Sequence, residues 1–370
     1  MNNYIAPGEQ ITTTWLTAVL RQAGVLQHGK VVSFEQEMTG AFNSQTGHFV
    51  LHYSAETAPN APARLVIKRN AQQDGEYEVK FYNLVATLAD HPRIIVPCYA
   101  AAYDEESGDS YLLLQDLSDT HAPPVTRDLQ ISSVEGVPTP HAIEQVVETL
   151  AQLHAYWWNH PLLEKEAFDV GYWSRNAEHF ARYLQRRTTS WESLISGEAS
   201  WFPEDLRALY EGVIAHLPSF WERYLEPRFR TRTNLTLTHN DAYFANFLAP
   251  KHPDLGVTYL LDWQTPIFDI GGYDLANLCA TFWTSEQRQQ DQREQQILRH
   301  YYTALLAHGV KTYSWDDLLT DYKLGLIFWL LMPVQDYYGG SERSYWWPKM
   351  QCLTTAFREW HGEDLLGMER

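Results

Sequence analysis

The stretch that decides the fold is THNDAYFAN (residues 238–246), which is followed by LLDWQ (residues 260–264). The first segment places Asp241 and Asn246 five residues apart, which is the spacing of the catalytic loop of protein kinases. In the second segment, Asp262 follows an apolar run that is typical of a short buried strand. We therefore expect these three oxygen-bearing side chains to meet around one ligand.

Composition restricts the classes of protein that this chain can belong to. The 370 residues suggest two structural units or one two-lobed protein, and a content of 45% hydrophobic and 20% charged residues disfavours wholesale disorder. A net charge of −18 disfavours binding to nucleic acid, whose phosphates would repel it, and is compatible with a cationic small substrate or with metal ions.

Cysteine usage and apolar runs predict a cytoplasmic protein without a membrane segment. The three cysteines are widely spaced and form neither a disulfide framework nor a metal-binding pair. The first fifteen residues lack the basic and apolar regions of a signal peptide. The most apolar run, residues 324–334, is too short to span a bilayer and is typical of a buried helix.

The pattern of residues predicts an α+β protein in which a small β-rich lobe precedes a larger helical lobe. Short β-branched and aromatic runs between residues 30 and 115 predict strands, with one helix at residues 75–89. Residues 1–115 are therefore assigned to the first lobe, residues 116–140 to an aperiodic linker, and residues 141–370 to the helical lobe. Two short strands, 235–239 and 258–263, are expected to form a hairpin within the helical lobe.

The first lobe contains the residue types that bind a nucleotide. Lys68 ends a predicted strand, as the phosphate-pairing lysine of a kinase does, and Glu78 on the next helix can hold it by an ion pair. Glu76 is the alternative partner. A loop with few glycines, residues 39–49, precedes that strand, and Gly40, Asn43 and Ser44 can contact phosphate oxygens there.

The chemistry that suits this set of residues is phosphoryl transfer from ATP. That reaction needs a cation for the phosphates, oxygen ligands for Mg²⁺, and a carboxylate that orients and deprotonates the acceptor hydroxyl. Lys68 can supply the cation, Asn246 and Asp262 can bind Mg²⁺, and Asp241 can act as the base.

With these motifs, the sequence resembles the aminoglycoside phosphotransferase and choline kinase-like superfamily, including bacterial members close to ecdysteroid kinase-like proteins. The shared segments are HNDAYFAN, LLDWQ, YDLANL and Lys68 with EVKFY, in the same order over residues 30–280. The resemblance implies a protein-kinase-like bilobal fold with ATP held between the lobes. It also implies that the backbone from Gln115 to Leu117 receives the adenine.

The resemblance further implies supporting roles around the catalytic loop. Asp274, in YDLANL, would anchor the loop by hydrogen bonds to its backbone, and His239 is expected to support the loop rather than act as a base. Asn240 stands where the family usually has glycine. Asparagine tolerates the left-handed backbone conformation better than other residues do, so the loop geometry can survive.

The acceptor is left open by the sequence. The segment 335–349 surrounds a Gly-Gly break with aromatic residues and is the expected wall of the acceptor pocket. An aromatic box would suit a quaternary ammonium group or an apolar polycyclic alcohol, whereas an aminoglycoside would favour carboxylates such as those of Asp269, Asp336 and Glu342. The candidate acceptor contacts are Gln264, Asp269, Tyr337, Trp346 and Trp347.

The resulting expectation is an ATP- and Mg²⁺-dependent kinase that phosphorylates a hydroxyl of a small acceptor. The acceptor could be an aminoglycoside-like antibiotic, a choline-like amino alcohol or another hydroxylated metabolite. The alternative is a nucleotide-binding pseudokinase or scaffold that does not transfer phosphate. A monomer or a homodimer is expected.

Overall fold

An antiparallel sheet of five strands dominates the first part of the chain. The structure is a computed structural model that describes residues 11–40, 45–70, 75–165 and 175–368. Its strands are β1 (Val31–Gly40), β2 (Gln45–Tyr53), β3 (Arg64–Asn70), β4 (Cys98–Tyr103), β5 (Ser110–Gln115), β6 (His121–Ala122), β7 (Thr236–Thr238), β8 (Phe247–Pro250), β9 (Tyr259–Leu260) and β10 (Ile267–Asp269).

Helices make up most of the rest of the described chain. They are α1 (Thr13–Gln22), α2 (Glu76–Leu84), α3 (Pro140–Trp157), α4 (Ala177–Glu198), α5 (Glu204–Phe220), α6 (Glu226–Thr231), α7 (Gly272–Ala280), α8 (Ser285–Gln289), α9 (Arg293–Ala307), α10 (Trp315–Leu330), α11 (Met332–Tyr338), α12 (Arg343–Glu359) and α13 (Gly362–Leu366). In the described part of the chain, no helix has the length and apolar character that crossing a bilayer requires.

The chain folds into two compact units. The first consists of residues 1–122 and 250–265, and the second of residues 123–249 and 266–370. The sequence analysis drew the first boundary at residue 115 and did not anticipate the return of 250–265 to the first unit. This return depends on pairing between distant residues, such as the 2.8 Å hydrogen bond from the Leu260 N–H to the Ile94 carbonyl, which local patterns do not reveal.

In the first unit, one face of the five-stranded sheet packs against α1. The sheet has the order β1-β2-β3-β5-β4, and every neighbouring pair is antiparallel. Phe49 and Leu51 alternate with more exposed residues along β2, so both point to the same side. There they join Leu16, Val19 and Leu20 of α1 in a hydrophobic core.

Helix α2 packs against β4 and β5 of this sheet. It begins after Gly75 and ends at Leu84, several residues before the predicted end. Phe81 of α2 stacks on Trp263 with ring centroids 3.8 Å apart and planes 9° apart. This aromatic stack fixes the residues that follow Asp262 against α2.

The second unit contains the helices that were predicted beyond residue 140. Helix α3 starts at Pro140, because the Thr139 side chain accepts a hydrogen bond from the Ala142 N–H and proline suits the first helical position. The apolar stripe of this helix is buried; its members are Ile143, Val146, Val147, Leu150, Leu153 and Trp157.

The short strand that leads into the catalytic loop has a different partner from the one expected. Strand β7 pairs antiparallel with β10, with Leu237 opposite Phe268. The predicted strand 258–263 is present only as β9, which lies in the first unit. Apolar runs this short identify a buried strand but contain no information about its neighbour.

Helices α7 and α10 cross at two glycines. A Cβ atom on Gly272 would lie 2.2 Å from the carbonyl oxygen of Asp321, and one on Gly325 would lie 2.4 Å from the carbonyl oxygen of Gly272. Only glycine permits backbones to approach this closely. The crossing therefore fixes the position of α7, which carries Asp274 two residues after Gly272.

Candidate functional site

In the first unit, the ammonium group of Lys68 lies between two carboxylates. Its Nζ is 2.8 Å from Oε2 and 3.0 Å from Oε1 of Glu78, and 2.6 Å from Oδ1 of Asp262. The side chain of Glu78 is 2% exposed and that of Asp262 is 31% exposed. Glu76, the alternative partner from the sequence, instead pairs with Lys80 at 2.6 Å.

Each member of this cluster is positioned by its local structure. Lys68 lies on β3 opposite Thr46 on one side and Leu112 on the other, so its backbone is fixed by two neighbouring strands. Glu78 lies in the first turn of α2. Asp262 has a left-handed backbone conformation, with φ of 65°. Such a conformation is uncommon outside glycine and is typical of functional sites.

The charges in the cluster support one another. Burial lowers the pKa of Lys68, but the carboxylates of Glu78 and Asp262 outweigh it, so the pKa of Lys68 is raised overall. Burial raises the pKa of Glu78, and the Lys68 charge partly offsets this effect. The lysine therefore stays protonated and can bind an anion such as a phosphate group.

In the second unit, Asp274 holds the backbone that precedes Asp241. Its carboxylate accepts hydrogen bonds from the N–H groups of His239 at 2.7 Å and Asn240 at 2.8 Å. These are the bonds that the resemblance implied. Asn240 has φ of 64°, as expected of a residue that replaces glycine in a tight turn. His239 accepts a hydrogen bond from the Asp241 N–H through Nδ1, at 3.2 Å.

Asp241 and Asn246 face each other across the loop. The Asn246 Nδ2 group donates to the Asp241 carbonyl at 2.7 Å and to Asp241 Oδ2 at 3.0 Å. Because both of these partners can only accept, the amide nitrogen must face Asp241, and the amide oxygen therefore points away from it. That oxygen is a suitable ligand for a hard cation.

Two buried residues that support this loop were missed by the sequence reasoning as site residues. His154 on α3 lies with Nε2 3.1 Å from Asp274 Oδ2 and with Nδ1 2.7 Å from the Tyr301 hydroxyl. Gln130 accepts a hydrogen bond from the Ala245 N–H at 2.9 Å. Neither residue belongs to a local motif, so only an alignment of relatives or a structure could have identified them.

Each unit contains a side chain whose oxygen atoms suit a magnesium ion. Asp262 offers a carboxylate that is partly exposed, and Asn246 offers an amide oxygen. Within the described ranges, no group of three or more His, Cys, Asp or Glu side chains is arranged to hold a metal ion. Mg²⁺ commonly binds through one or two carboxylates while substrate phosphates and water complete its shell, so a dedicated cage is not required.

The other nucleotide-site candidates lie in the first unit. Gln115 ends β5, where its N–H donates to the Pro97 carbonyl at 2.9 Å. Leu117 is buried, and its carbonyl accepts hydrogen bonds from the N–H groups of Thr120 at 3.0 Å and His121 at 2.8 Å. Gly40 is the last residue of β1, whereas Asn43 and Ser44 fall outside the described residues.

The acceptor-site candidates are dispersed. Gln264 is half-buried in the first unit beside Trp263, and Asp269 is buried at the end of β10, where its Oδ1 accepts from the Ile270 N–H at 2.8 Å. Tyr337 packs edge-on against Trp346, with ring centroids 5.5 Å apart.

The two neighbouring tryptophans differ in exposure. Trp346 is buried, and Trp347 is half-buried. Both lie against Trp201, with ring centroids 6.1 Å and 4.9 Å away. Much of their surface is thus used in packing between helices, which leaves their contact with an acceptor a prediction.

Comparison with known proteins supports a kinase-like fold. A family model described as the ecdysteroid kinase-like family matches residues 76–312, a range that includes Glu78, the catalytic loop, Asp262 and Asp274. Among curated protein sequences, none gives a significant match.

Several solved structures share the fold at low sequence identity. A choline/ethanolamine kinase family protein from Mesorhizobium loti has 11% identity and a TM-score of 0.51, with 90% of this chain and 92% of that chain covered. An ethanolamine kinase from Plasmodium vivax has 12% identity and a TM-score of 0.51, with 89% and 84% covered. The GDP complex of an aminoglycoside 2'-phosphotransferase IIIa mutant has 12% identity and a TM-score of 0.50, with 95% and 98% covered. These similarities confirm the α+β, kinase-like fold class.

Proposed function

The chain belongs to the ecdysteroid kinase-like family, and on that premise we propose that it transfers the γ-phosphoryl group of ATP to a hydroxyl group of a small molecule. The observation that carries the proposal is the Lys68 ammonium held between Glu78 and Asp262. Taking three charges out of water contributes little net stability, so such a cluster favours a functional explanation.

Each residue of the two clusters has a role in the proposed reaction. Lys68 binds phosphate oxygens of the nucleotide, and Glu78 orients Lys68. Asn246 and Asp262 would hold Mg²⁺, which would neutralise charge on the phosphate oxygens. Asp262 also accepts a hydrogen bond from Lys68 through Oδ1.

Asp241 is the proposed general base. Its carboxylate accepts the proton of the acceptor hydroxyl as the oxygen attacks the γ-phosphorus, and the bond from that phosphorus to the bridging oxygen of ADP breaks. The hydrogen bond from Asn246 to Oδ2 fixes the rotation of the carboxylate. Anchoring by Asp274 keeps the loop in this geometry.

The proposal is tested with two variants of the full-length protein. Asp241→Asn should lower acceptor-dependent ADP release by about two orders of magnitude or more, because general base catalysis is lost. The same variant should keep the increase in melting temperature that Mg²⁺ and ATP produce together. Asp262→Asn should lose the Mg²⁺-dependent part of that increase.

The acceptor is found by screening amino alcohols, aminoglycosides and other hydroxylated metabolites for ADP release. Asp254→Asn, at an exposed position in the chain segment between Asn246 and Asp262, serves as the control and should behave as the wild type. Full turnover by Asp241→Asn would refute the assigned mechanism. Stabilisation by ATP without phosphate transfer to any alcohol would favour the pseudokinase alternative.

A further inference from the structure

A lysine of the second unit is buried among aromatic rings. Lys349 on α12 is 2% exposed, and its Nζ lies 2.9 Å from Oδ2 of Asp336 on α11. The ring centroids of Trp329, Tyr345 and Phe282 lie 5.4, 5.4 and 5.9 Å from the same nitrogen. Aromatic faces attract a cation, but they are weak hydrogen-bond acceptors, and an ammonium group has three N–H donors.

This lysine lies behind the catalytic loop. Tyr243 packs against two of these three rings, with its ring centroid 5.2 Å from that of Phe282 and 6.4 Å from that of Trp329. The N–H of Tyr243 donates a hydrogen bond to the Asp241 carbonyl at 2.9 Å. Burial lowers the pKa of Lys349, but the charge of Asp336 and smaller effects of Tyr345 and Asp241 outweigh it, so the pKa is raised. A positive charge therefore persists beside the proposed base.

A second buried cation has no carboxylate partner among the described residues. Arg187 on α4 is 6% exposed, and within the described residues no Asp or Glu oxygen lies at ion-pair distance from it. Its Nη2 contacts Met332 Sδ at 3.1 Å, and its guanidinium carbon lies 4.7 Å from the ring centroid of Tyr183. Its Nε and Nη1 have no hydrogen-bond partner in the described part of the chain.

Both cations adjoin one side of α11. Met332 contacts Arg187, Asp336 contacts Lys349, and these two residues are four positions apart in the helix. Residues at this spacing lie on the same face, about one turn apart. That face of α11 therefore adjoins two buried positive charges. The helix has one carboxylate, that of Asp336, and it pairs with Lys349.

A buried guanidinium that has no counter-charge among the described residues is costly, and a carboxylate or phosphate is its best geometric match. On the basis of the proposed function, we propose that the acceptor is an alcohol that also carries an acidic oxygen group. Arg187 binds that group and Lys349 supplies the second positive charge, while the hydroxyl is directed to Asp241. A choline-like or aminoglycoside-like cation would instead be repelled at this face.

Calorimetry on the full-length protein tests the preference directly. The protein is saturated with Mg²⁺ and a non-hydrolysable ATP analogue, and three sets of alcohols are titrated. Each set keeps one ring (phenyl, cyclohexyl or naphthyl) with a hydroxymethyl group and adds a carboxylate, a second hydroxymethyl or an aminomethyl group. We expect the carboxylate of at least one set to bind about tenfold or more tightly than its neutral counterpart, and the amine to bind most weakly.

Variants identify the residues that cause the preference for a carboxylate. Arg187→Gln and Lys349→Gln should each lower the affinity for the carboxylate towards that of the neutral alcohol, with the amine unchanged or improved. Arg182→Gln is the matched control, because Arg182 lies on the same helix with its side chain 58% exposed and paired with Glu178. If Arg187→Gln does not fold, Arg187→Lys retains the charge but not the planar fork and should show a partial loss.

The inference is overturned if no carboxylate binds, if all members of each set bind equally, or if the amines bind best. A folded Arg187→Gln that keeps the carboxylate preference would also overturn it. The binding assay needs no turnover, so it separates this inference from the proposed activity. Carboxylate preference without ADP release would refute phosphoryl transfer alone, whereas ADP release with cationic acceptors alone would refute this inference alone.

Discussion

Asp321 is a carboxyl group with no solvent exposure that lies between Arg228 of α6 and the hydroxyl of Tyr313. Tyr313 donates to Asp321 Oδ2 at 2.8 Å, and Arg228 donates to Oδ1. Burial raises the pKa of Asp321 from 3.8 to about 6, although Arg228 opposes the increase. The folded state therefore holds a proton on this residue over a pH range in which the unfolded chain has released it.

Replacing this residue should change how stability depends on pH. Between about pH 4 and pH 6 the folded wild type binds more protons than the unfolded chain, so its free energy of unfolding falls as the pH rises. Asp321→Asn has no such group. The unfolding free energy of the variant relative to wild type should therefore increase by about 2 kcal/mol from pH 4 to pH 7, as measured by urea unfolding.

Asp317, on the same helix, is the matched control. Its pKa is lowered by hydrogen bonds from the backbone and side chain of Ser314, so its contribution to stability is present at neutral pH and is lost on acidification. The unfolding free energy of Asp317→Asn relative to wild type should therefore not increase between pH 4 and pH 7. If the difference in unfolding free energy between Asp321→Asn and wild type stayed constant over this range, the assigned pKa would be wrong.

Single residues were predictable from sequence where a motif fixes their spacing. The Lys68–Glu78 pair and the left-handed Asn240 follow from local order, and the structure contains both. Arg187 and Lys349 were not predicted, because a basic residue in an amphipathic helix reads as solvent-exposed. Their burial depends on how α4, α11 and α12 pack, which local patterns do not specify.

At the scale of elements, the crossing of α7 and α10 depends on the absence of two side chains. Adding a methyl group to a helical glycine ordinarily favours the helix by up to about 1 kcal/mol. At Gly325 that methyl group would meet the backbone of Gly272, which cannot rotate out of the way. The steric cost should therefore exceed the gain in helix propensity.

Gly325→Ala should lower the free energy of unfolding by about 1–3 kcal/mol, the usual cost of overpacking a core. Gly212→Ala in α5 is the control, because the added Cβ would meet only the flexible end of Met368. That variant should be neutral or slightly more stable in urea unfolding. Equal effects of the two substitutions would show that the crossing tolerates a wider separation.

Element types were predictable, but their partners were not. Residue patterns predicted the helix at residues 75–89 and the strands of the five-stranded sheet, because these segments are long enough to show a period. Strand β7 has three residues, and its pairing with β10 instead of with 258–263 depends on tertiary packing.

At the scale of the whole molecule, the first unit is assembled from two distant pieces of chain. Residues 250–265 supply Trp263, which stacks on Phe81, and Asp262, which binds Lys68. The ordered motifs and the α+β class were predictable from sequence. The return of this segment was not, since it requires contacts across more than a hundred intervening residues.

A fragment of residues 1–122 should therefore not unfold cooperatively. It lacks the aromatic stack on α2 and one of the two carboxylates that balance Lys68. Joining residues 250–265 to it through a flexible linker should restore a cooperative transition in circular dichroism melting curves. A sharp transition in the short fragment alone would show that the returning segment is dispensable for folding.

The same arrangement has a consequence for the order of events on the ribosome. Residues 11–122 leave the ribosome early, but the side of α2 that Trp263 covers remains open until residue 263 has been added. At about 5–20 residues per second, that interval lasts roughly 7–30 s. During this time the nascent chain exposes the aromatic surface of Phe81, which is the type of surface that chaperones shield. The first unit can therefore finish folding only after the catalytic loop has been synthesised, because that loop precedes residues 250–265 in the chain.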